Sequence, residues 1–226
     1  MNIDNAVAVV TGGNRGLGRA FVTQLLDRGA KVYAAARRPE TVDVPGAVPL
    51  RLDITDPESV AQAAKIAADA TLLVNNAGVS THAGLVDGDF GDIRLEMETH
   101  YFGSLAVTRA FAPVIEANGG GAILNVLSVL SWVHVPVYGG YSVAKAAEWA
   151  MTNVVRQELA PKGIRVTSLH VGYMDTDMAS YVAPENKSDP AAVASAALDG
   201  IAAGEAEVIF DEFSRTSKQN LSAPLS

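Results

Sequence analysis

Short apolar runs alternate along this chain with longer segments of helical period, and few folds accommodate that alternation. A short apolar run bounded by turn residues reads as a strand buried on both faces, and a helix between successive runs is the connection parallel strands require. The runs place strands near 6–11, 31–36, 48–52, 71–75, 121–127, 164–169 and 207–210; the periodicity between them places helices at 16–28, 57–68, 89–117, 141–160 and 190–203. The expected fold class is α/β, a doubly wound parallel sheet of about seven strands with helices on both faces. Gly29, the run 119–121, Gly163 and Gly204 fall just past helical stretches, where positive φ is favoured. Asp56 before Pro57 and Asp189 before Pro190 read as N-caps with proline in the first turn. No repeat or linker interrupts the pattern, so one domain, 1–226, is expected, with 221–226 a loose tail. The irregular stretch 173–188 follows the carboxyl end of a strand, where ligands sit in open α/β sheets, and is a candidate lid.

Composition narrows the function classes. With 49% hydrophobic and 19% charged residues the chain carries enough apolar material to form a core. A net charge of −8 repels phosphate backbones and anionic lipid surfaces, so neither nucleic acid nor membrane is an expected partner. The absence of cysteine removes thiolate chemistry, and any redox work must be borrowed from a cofactor. The polar N-terminus and the brief apolar stretch 6–10 match neither a leader nor a span, which makes a cytoplasmic protein the expectation.

Between the first strand and the first helix stands Thr11-Gly12-Gly13-Asn14-Arg15-Gly16-Leu17-Gly18. Glycines at this spacing let backbone N–H groups approach a pyrophosphate at a helix N-terminus, which gives the fold a Rossmann-like reading. An ordinary glycine-rich turn is the competing explanation. About 20 residues past the glycines, where such folds place an acid for the adenosine ribose, this chain has Ala36, Arg37 and Arg38. A carboxylate there would repel the 2′-phosphate of NADP, whereas a guanidinium can pair with it through two N–H donors. Arg15 and Arg37 therefore point to NADPH/NADP, against the plainer possibility of two solvated surface charges.

Of six tyrosines only Tyr141 has a lysine, Lys145, four positions on. That spacing puts both on one helix face. A phenol ionises near pH 10, and an adjacent ammonium lowers that value, so Tyr141 becomes a usable acid or base. Such a pair also occurs as a plain surface contact.

The glycine segment, Asn75-Asn76-Ala77-Gly78 after the fourth strand, Ser128 lying 13 residues before Tyr141, and Tyr141-Ser142-Val143-Ala144-Lys145 together resemble the short-chain dehydrogenase/reductase family, in order and spacing over nearly the whole chain. The resemblance implies that Tyr141 donates the proton, that Lys145 lowers its pKa and holds the nicotinamide ribose, and that Ser128 hydrogen-bonds the substrate carbonyl. Ser131 is a rival that the spacing disfavours. It further implies that Asn75, Asn76, Ala77 and Gly78 support the sheet and the adenine side of the cofactor. Asp53 and Ile54 resemble the adenine contact, and Gly172 and Thr176 the turn and threonine that serve the nicotinamide carboxamide. A homodimer or homotetramer is also implied, with the apolar positions of 144–159 packed on another subunit, although a core face explains those positions as well.

Two departures stand out. Where the family has asparagine in the long helix, helping to hold a water linked to the lysine, this chain has His100, an imidazole expected to titrate near neutrality if it joins the proton relay. A packing role is the alternative. The usual Pro-Gly after the sixth strand appears as Val171-Gly172. The other histidines, His82, His134 and His170, lack metal-ligand spacing, so no metal is expected. Trp132, Val133, His134, Val135, Pro136 and Tyr138, with Val79, Tyr173, Met174 and Met178, could line the substrate side or the core. The reading is an NADPH-dependent reductase of a small or medium apolar ketone or aldehyde to an alcohol, or the reverse. The alternatives are a 3-oxoacyl thioester reductase and a dinucleotide-sensing regulator with little or no catalysis. A nucleotide-sugar epimerase is disfavoured by the glycine spacing and the short length.

Overall fold

The strands recur as expected, at Val7–Thr11 (β1), Lys31–Ala36 (β2), Val48–Arg51 (β3), Leu72–Asn75 (β4), Gly121–Val126 (β5), Ile164–His170 (β6) and Glu207–Ile209 (β7). In the computed structural model, which describes residues 1–223, they form one parallel sheet in the order β3-β2-β1-β4-β5-β6-β7. The expected tail 221–226 lies partly outside the described residues. Successive side chains of a strand point to opposite faces, and β1 uses both. Ala8 and Val10 pack with Phe21 and Leu25 of α1 (Gly16–Asp27) and with Val193 and Leu198 of α6 (Pro190–Ala203). Val9 packs on the other face with Phe111 and Ile115 of α4 (Ser104–Ala117) and with Met151 and Val155 of α5 (Gly139–Leu159). This is the doubly wound, Rossmann-like arrangement, with a core on each side of the sheet.

Local chemistry sets the helix starts. Asp56 accepts the Glu58 N–H at 2.9 Å to open α2 (Pro57–Ile66), and Asp189 accepts the Ala191 N–H at 3.0 Å to open α6. Gly29, Gly163 and Gly204 adopt positive φ.

Two features differ from the sequence expectation. The helix expected over 89–117 is α3 (Phe90–Met97) and α4 joined by a π-helical turn at Glu98–Gly103 that carries His100. A π turn changes the hydrogen-bond register and leaves the apolar pattern intact, so periodicity does not reveal it. A seventh helix, α7 (Glu212–Gln219), was not anticipated. Its only large apolar residue, Phe213, is 58% exposed, and polar contacts hold it. Asp211 accepts from the Ser214 amide at 2.8 Å, and Lys218 donates to Glu207 at 2.9 Å.

Candidate active site

The order of the sheet reverses at β1 and β4, and the loops leaving their carboxyl ends are tied together. The buried Thr11 hydroxyl accepts the Asn76 and Ala77 amides at 2.9 and 3.0 Å, and Asn76 Nδ2 donates to the Thr11 carbonyl at 2.9 Å. Gly12 sits at φ +65°, and a Cβ on Gly18 would collide with the Gly12 carbonyl, so the loop closes tightly before α1. Arg15 precedes α1 without a side-chain cap, and no acid lies in the first turn. The first amides of α1 are thus free for an anion, and the residues present fit a pyrophosphate there.

Asn14 Nδ2 donates to Thr41 Oγ1 at 3.0 Å, and Thr41 Oγ1 donates to the Arg38 carbonyl at 2.6 Å. This links the glycine loop to the segment after β2. Arg37 and Arg15 are both exposed, Arg15 with Asp177 at 3.7 Å. Thr176 closes the other side. A Cβ on Gly16 would stand 3.2 Å from its methyl group, and Gly172 beyond β6 donates its amide to Asp211 at 2.7 Å. Asp53 Oδ1 accepts from the Thr55 amide and hydroxyl, while buried Ile54 packs so closely on the π turn that a Cβ on Gly103 would meet it at 2.9 Å.

Tyr141 and Lys145 share one face of α5. Lys145 Nζ donates to the Val126 carbonyl at 2.7 Å and lies 5.9 Å from the Tyr141 ring centre. Ser128 stands close enough to the Tyr141 phenol to pull its pKa down, and its Oγ accepts the Leu130 amide at 3.1 Å, while the buried Ser131 hydroxyl has no partner among the described residues. Burial pushes the Tyr141 pKa up; Lys145 and Ser128 pull it down; Glu148 and Glu96 raise it further. The net direction is upward. The lysine acts on the phenol as expected, but desolvation and two carboxylates outweigh it.

His100 also departs from expectation. Its Nε2 lies 2.6 Å from the Val79 carbonyl, its ring meets Tyr141 edge-on at 5.0 Å, and a Cβ on Gly78 would strike it. Assigning the ring proton to Nε2 leaves Nδ1 buried with no hydrogen-bond partner among the described residues. Burial, then Lys145, hold its pKa well below the ordinary value, so the imidazole stays neutral and does not titrate near 6.5.

Other groups at the site escaped sequence reasoning. Buried Glu148 pairs with Lys145, and buried Glu96 accepts the Thr81 amide at 2.8 Å. A carboxylate at a buried helical spacing was the one available signal. His82, at φ +60°, sets its ring tilted 5.0 Å from Tyr138 and edge-on 5.1 Å from Tyr181, and Tyr138 shares a hydrogen bond with Tyr181 at 2.7 Å. Tyr173 reaches the same cluster, so the 173–188 segment packs against the stretch between Ser128 and Tyr141. Trp132 belongs elsewhere: it is buried, stacked on His170 at 3.9 Å with Lys218 above it. Among the described residues no helix is long and apolar enough to cross a membrane, and no three His, Asp or Glu side chains gather as metal ligands.

The sequence profile described as short chain dehydrogenase matches residues 6–187. NADPH-dependent 1-acyldihydroxyacetone phosphate reductase of Schizosaccharomyces pombe is 32% identical over 189 residues, 80% of this chain and 63% of that protein. 3-amino-tetrahydro-pyrrolizinone reductase of Xenorhabdus hominickii is 34% identical over 177 residues, 74% of this chain and 61% of that protein. The chain thus spans less than two thirds of the length of these curated relatives. A short chain dehydrogenase from Burkholderia cenocepacia, solved in complex with NADP, superposes with a TM-score of 0.94 at 42% identity, covering 99% of this chain and 95% of that one.

Proposed function

The chain belongs to the short-chain dehydrogenase/reductase family, and on that premise we propose that it reduces a small or medium apolar ketone or aldehyde with NADPH, or runs the reverse oxidation. The observation that carries this reading is the Tyr141 phenol set between the Ser128 hydroxyl and the Lys145 ammonium, beside a glycine loop whose helix N-terminus is uncapped. A bound nicotinamide supplies the hydride. Thr11, Gly12, Asn14, Gly16, Leu17 and Gly18 form the wall for the pyrophosphate, with Arg15 and Arg37 placed for a 2′-phosphate. Asp53, Ile54, Asn76, Ala77 and Gly78 take the adenine side, and Gly172 and Thr176 the carboxamide side. NADPH specificity is supported by the absence of an acid at the end of β2, where Ala36 and Arg37 stand, and by the NADP bound to the 42%-identical structure.

Ser128 and Tyr141 hold the carbonyl oxygen by hydrogen bonds, which strengthen as negative charge develops there. As a bound nicotinamide would supply hydride to the carbonyl carbon, Tyr141 would give its proton to the carbonyl oxygen. The phenolate left behind is stabilised by Lys145 until solvent reprotonates it. A phenol held above its ordinary pKa is fully protonated at neutrality, the form a donor needs. Lys145, fixed by the Val126 carbonyl, would also hold the ribose of a bound cofactor. His100, neutral and donating its Nε2 proton to the Val79 carbonyl, orders the wall beside Tyr141 and relays no proton. The exposed Val143 and Val154 of α5 support a homodimer or homotetramer packed through that helix.

The test is NADPH oxidation by the purified chain against a panel of aldehydes, ketones and 3-oxoacyl thioesters, with Tyr141→Phe as control. Turnover on ketones or aldehydes that is lost in the variant is expected. Preference for oxoacyl thioesters would favour that alternative, and NADPH binding without turnover on any member would favour the sensing role.

A further inference from the structure

We propose that Glu148 is the counterion of Lys145 and acts through it as a positioning residue, keeping the Tyr141 phenol protonated and so biasing the site toward carbonyl reduction over alcohol oxidation. The inference rests on the reading of Tyr141 as the proton donor.

Glu148 lies one helical turn beyond Lys145 and is buried, with 1% exposure. Its Oε2 accepts from Lys145 Nζ at 2.8 Å, and its Oε1 accepts from Ser104 Oγ of α4 at 2.9 Å. The backbone beneath it is fixed as well. Thr152 Oγ1 donates to the Glu148 carbonyl at 2.7 Å and accepts from Asn125, which in turn accepts from Asn75, a hydrogen-bonded row running from β4 through β5 to α5. Burial pushes the carboxyl pKa up against the pull of Lys145 and Ser104. With both oxygens accepting from donors, the ionised pair is the form this geometry satisfies.

A lone ammonium beside a phenol favours the phenolate, because ionisation there creates an ion pair. Lys145 already has one. Ionising Tyr141 would add a second negative charge to a pair that is electrically neutral. The other groups facing Tyr141 do not offset this: Glu96 of α3 adds a further carboxylate, His100 of the π turn is neutral, and Ser128 offers only a hydroxyl. Burial raises the phenol in the same direction. Reduction uses the phenol and oxidation uses the phenolate, so a carboxylate on the lysine favours the phenol over the pH range in which Tyr141 titrates.

The measurement is the tyrosinate absorbance of the full chain as a function of pH, taken as the difference from Tyr141→Phe so that this phenol is separated from the others. Glu148→Gln keeps the volume and the hydrogen-bonding shape while removing the charge. The Tyr141 inflection should move to lower pH by about one unit or more, about tenfold more phenolate on the rising limb. Glu148→Asp, which retains the charge, should return it toward the parent. If Glu148→Gln does not fold, Glu148→Met removes the charge with a similar volume and should move the inflection in the same direction. An inflection unchanged or shifted to higher pH in the charge-free variant overturns the proposal, as does loss of the Lys145 proton in place of the Tyr141 proton. The readout needs no turnover. A chain that reduces no carbonyl yet shows the shift loses the functional reading and keeps the Glu148 effect, whereas turnover with an unmoved titration removes Glu148 alone.

Discussion

His100 Nε2 lies 2.6 Å from the Val79 carbonyl oxygen, which binds the side chain to the loop after β4. Its neutral form is enforced by burial and by Lys145. Turnover should therefore show no inflection near pH 6.5, and His100→Asn should keep the parent's pH profile. The variant should also melt at lower temperature, by about 1–3 kcal/mol of stability, because the ring fills the space between Gly78 and Tyr141. Rate against pH for parent and variant, with thermal melts, checks both. An inflection near 6.5 present only in the parent would return His100 to the proton relay.

Acid should loosen α7 before the rest of the fold. His170 and Glu207 approach to 3.4 Å; the nearby His170, opposed by burial and aided by Lys218, holds Glu207 down to about 2, and burial lowers His170. Both pKa values are depressed in the folded state, so their stabilisation is complete above the unfolded values and is lost as pH falls through the folded ones. For His170 the loss begins below about 6.5, and for Glu207 it runs from about 4.3 toward 2. Trp132 and Trp149, the only two tryptophans, both face Lys218 in this cluster. Their fluorescence should change in this acid range in the parent, and Glu207→Gln should remove the lower part of that change.

Arg37→Asp should weaken NADPH binding by about tenfold or more while leaving NADH binding nearly unchanged, because it exchanges a guanidinium for a like-charged repeller of the 2′-phosphate. Fluorescence titration with each cofactor measures this. Equal affinity of the parent for both cofactors would contradict the assignment.

Lys145→Ala should cost turnover, cofactor binding and stability together, whereas Tyr141→Phe should cost turnover alone. Removing the ammonium leaves Glu148 buried without its partner, a loss of about 3–5 kcal/mol. The double variant Lys145→Ala, Glu148→Leu should recover part of that stability with no recovery of turnover, as denaturant unfolding and NADPH oxidation would reveal.

Asp211→Ala should raise KM more than it lowers kcat. The carboxylate accepts the Gly172 amide at 2.7 Å and the Ser214 amide at 2.8 Å, so it joins the start of the 173–188 segment to α7. Its removal should cost about 1–3 kcal/mol from unsatisfied donors and free that segment. A variant with parental KM and stability would show that the segment is anchored elsewhere.

The alternation of apolar runs was sufficient to derive the parallel sheet, because a strand buried on both faces has to be apolar throughout and its neighbour has to arrive through a helix. Asp56 and Asp189 marked helix starts for an equally local reason: the cap bonds its own next residues. Tyr141 and Lys145 could be paired from four-residue spacing alone. What covers that helix face is a long-range matter. Only the packed fold brings Ser104 of α4 against Glu148, sets Val79 beside His100, and docks the polar α7 through Asp211 onto Gly172, and none of these contacts leaves a periodic trace in the chain. The same holds for charge. Residue type sets an ordinary pKa, but the burial and neighbouring charges that keep His100 neutral and Tyr141 protonated exist only after distant segments have excluded water from the site.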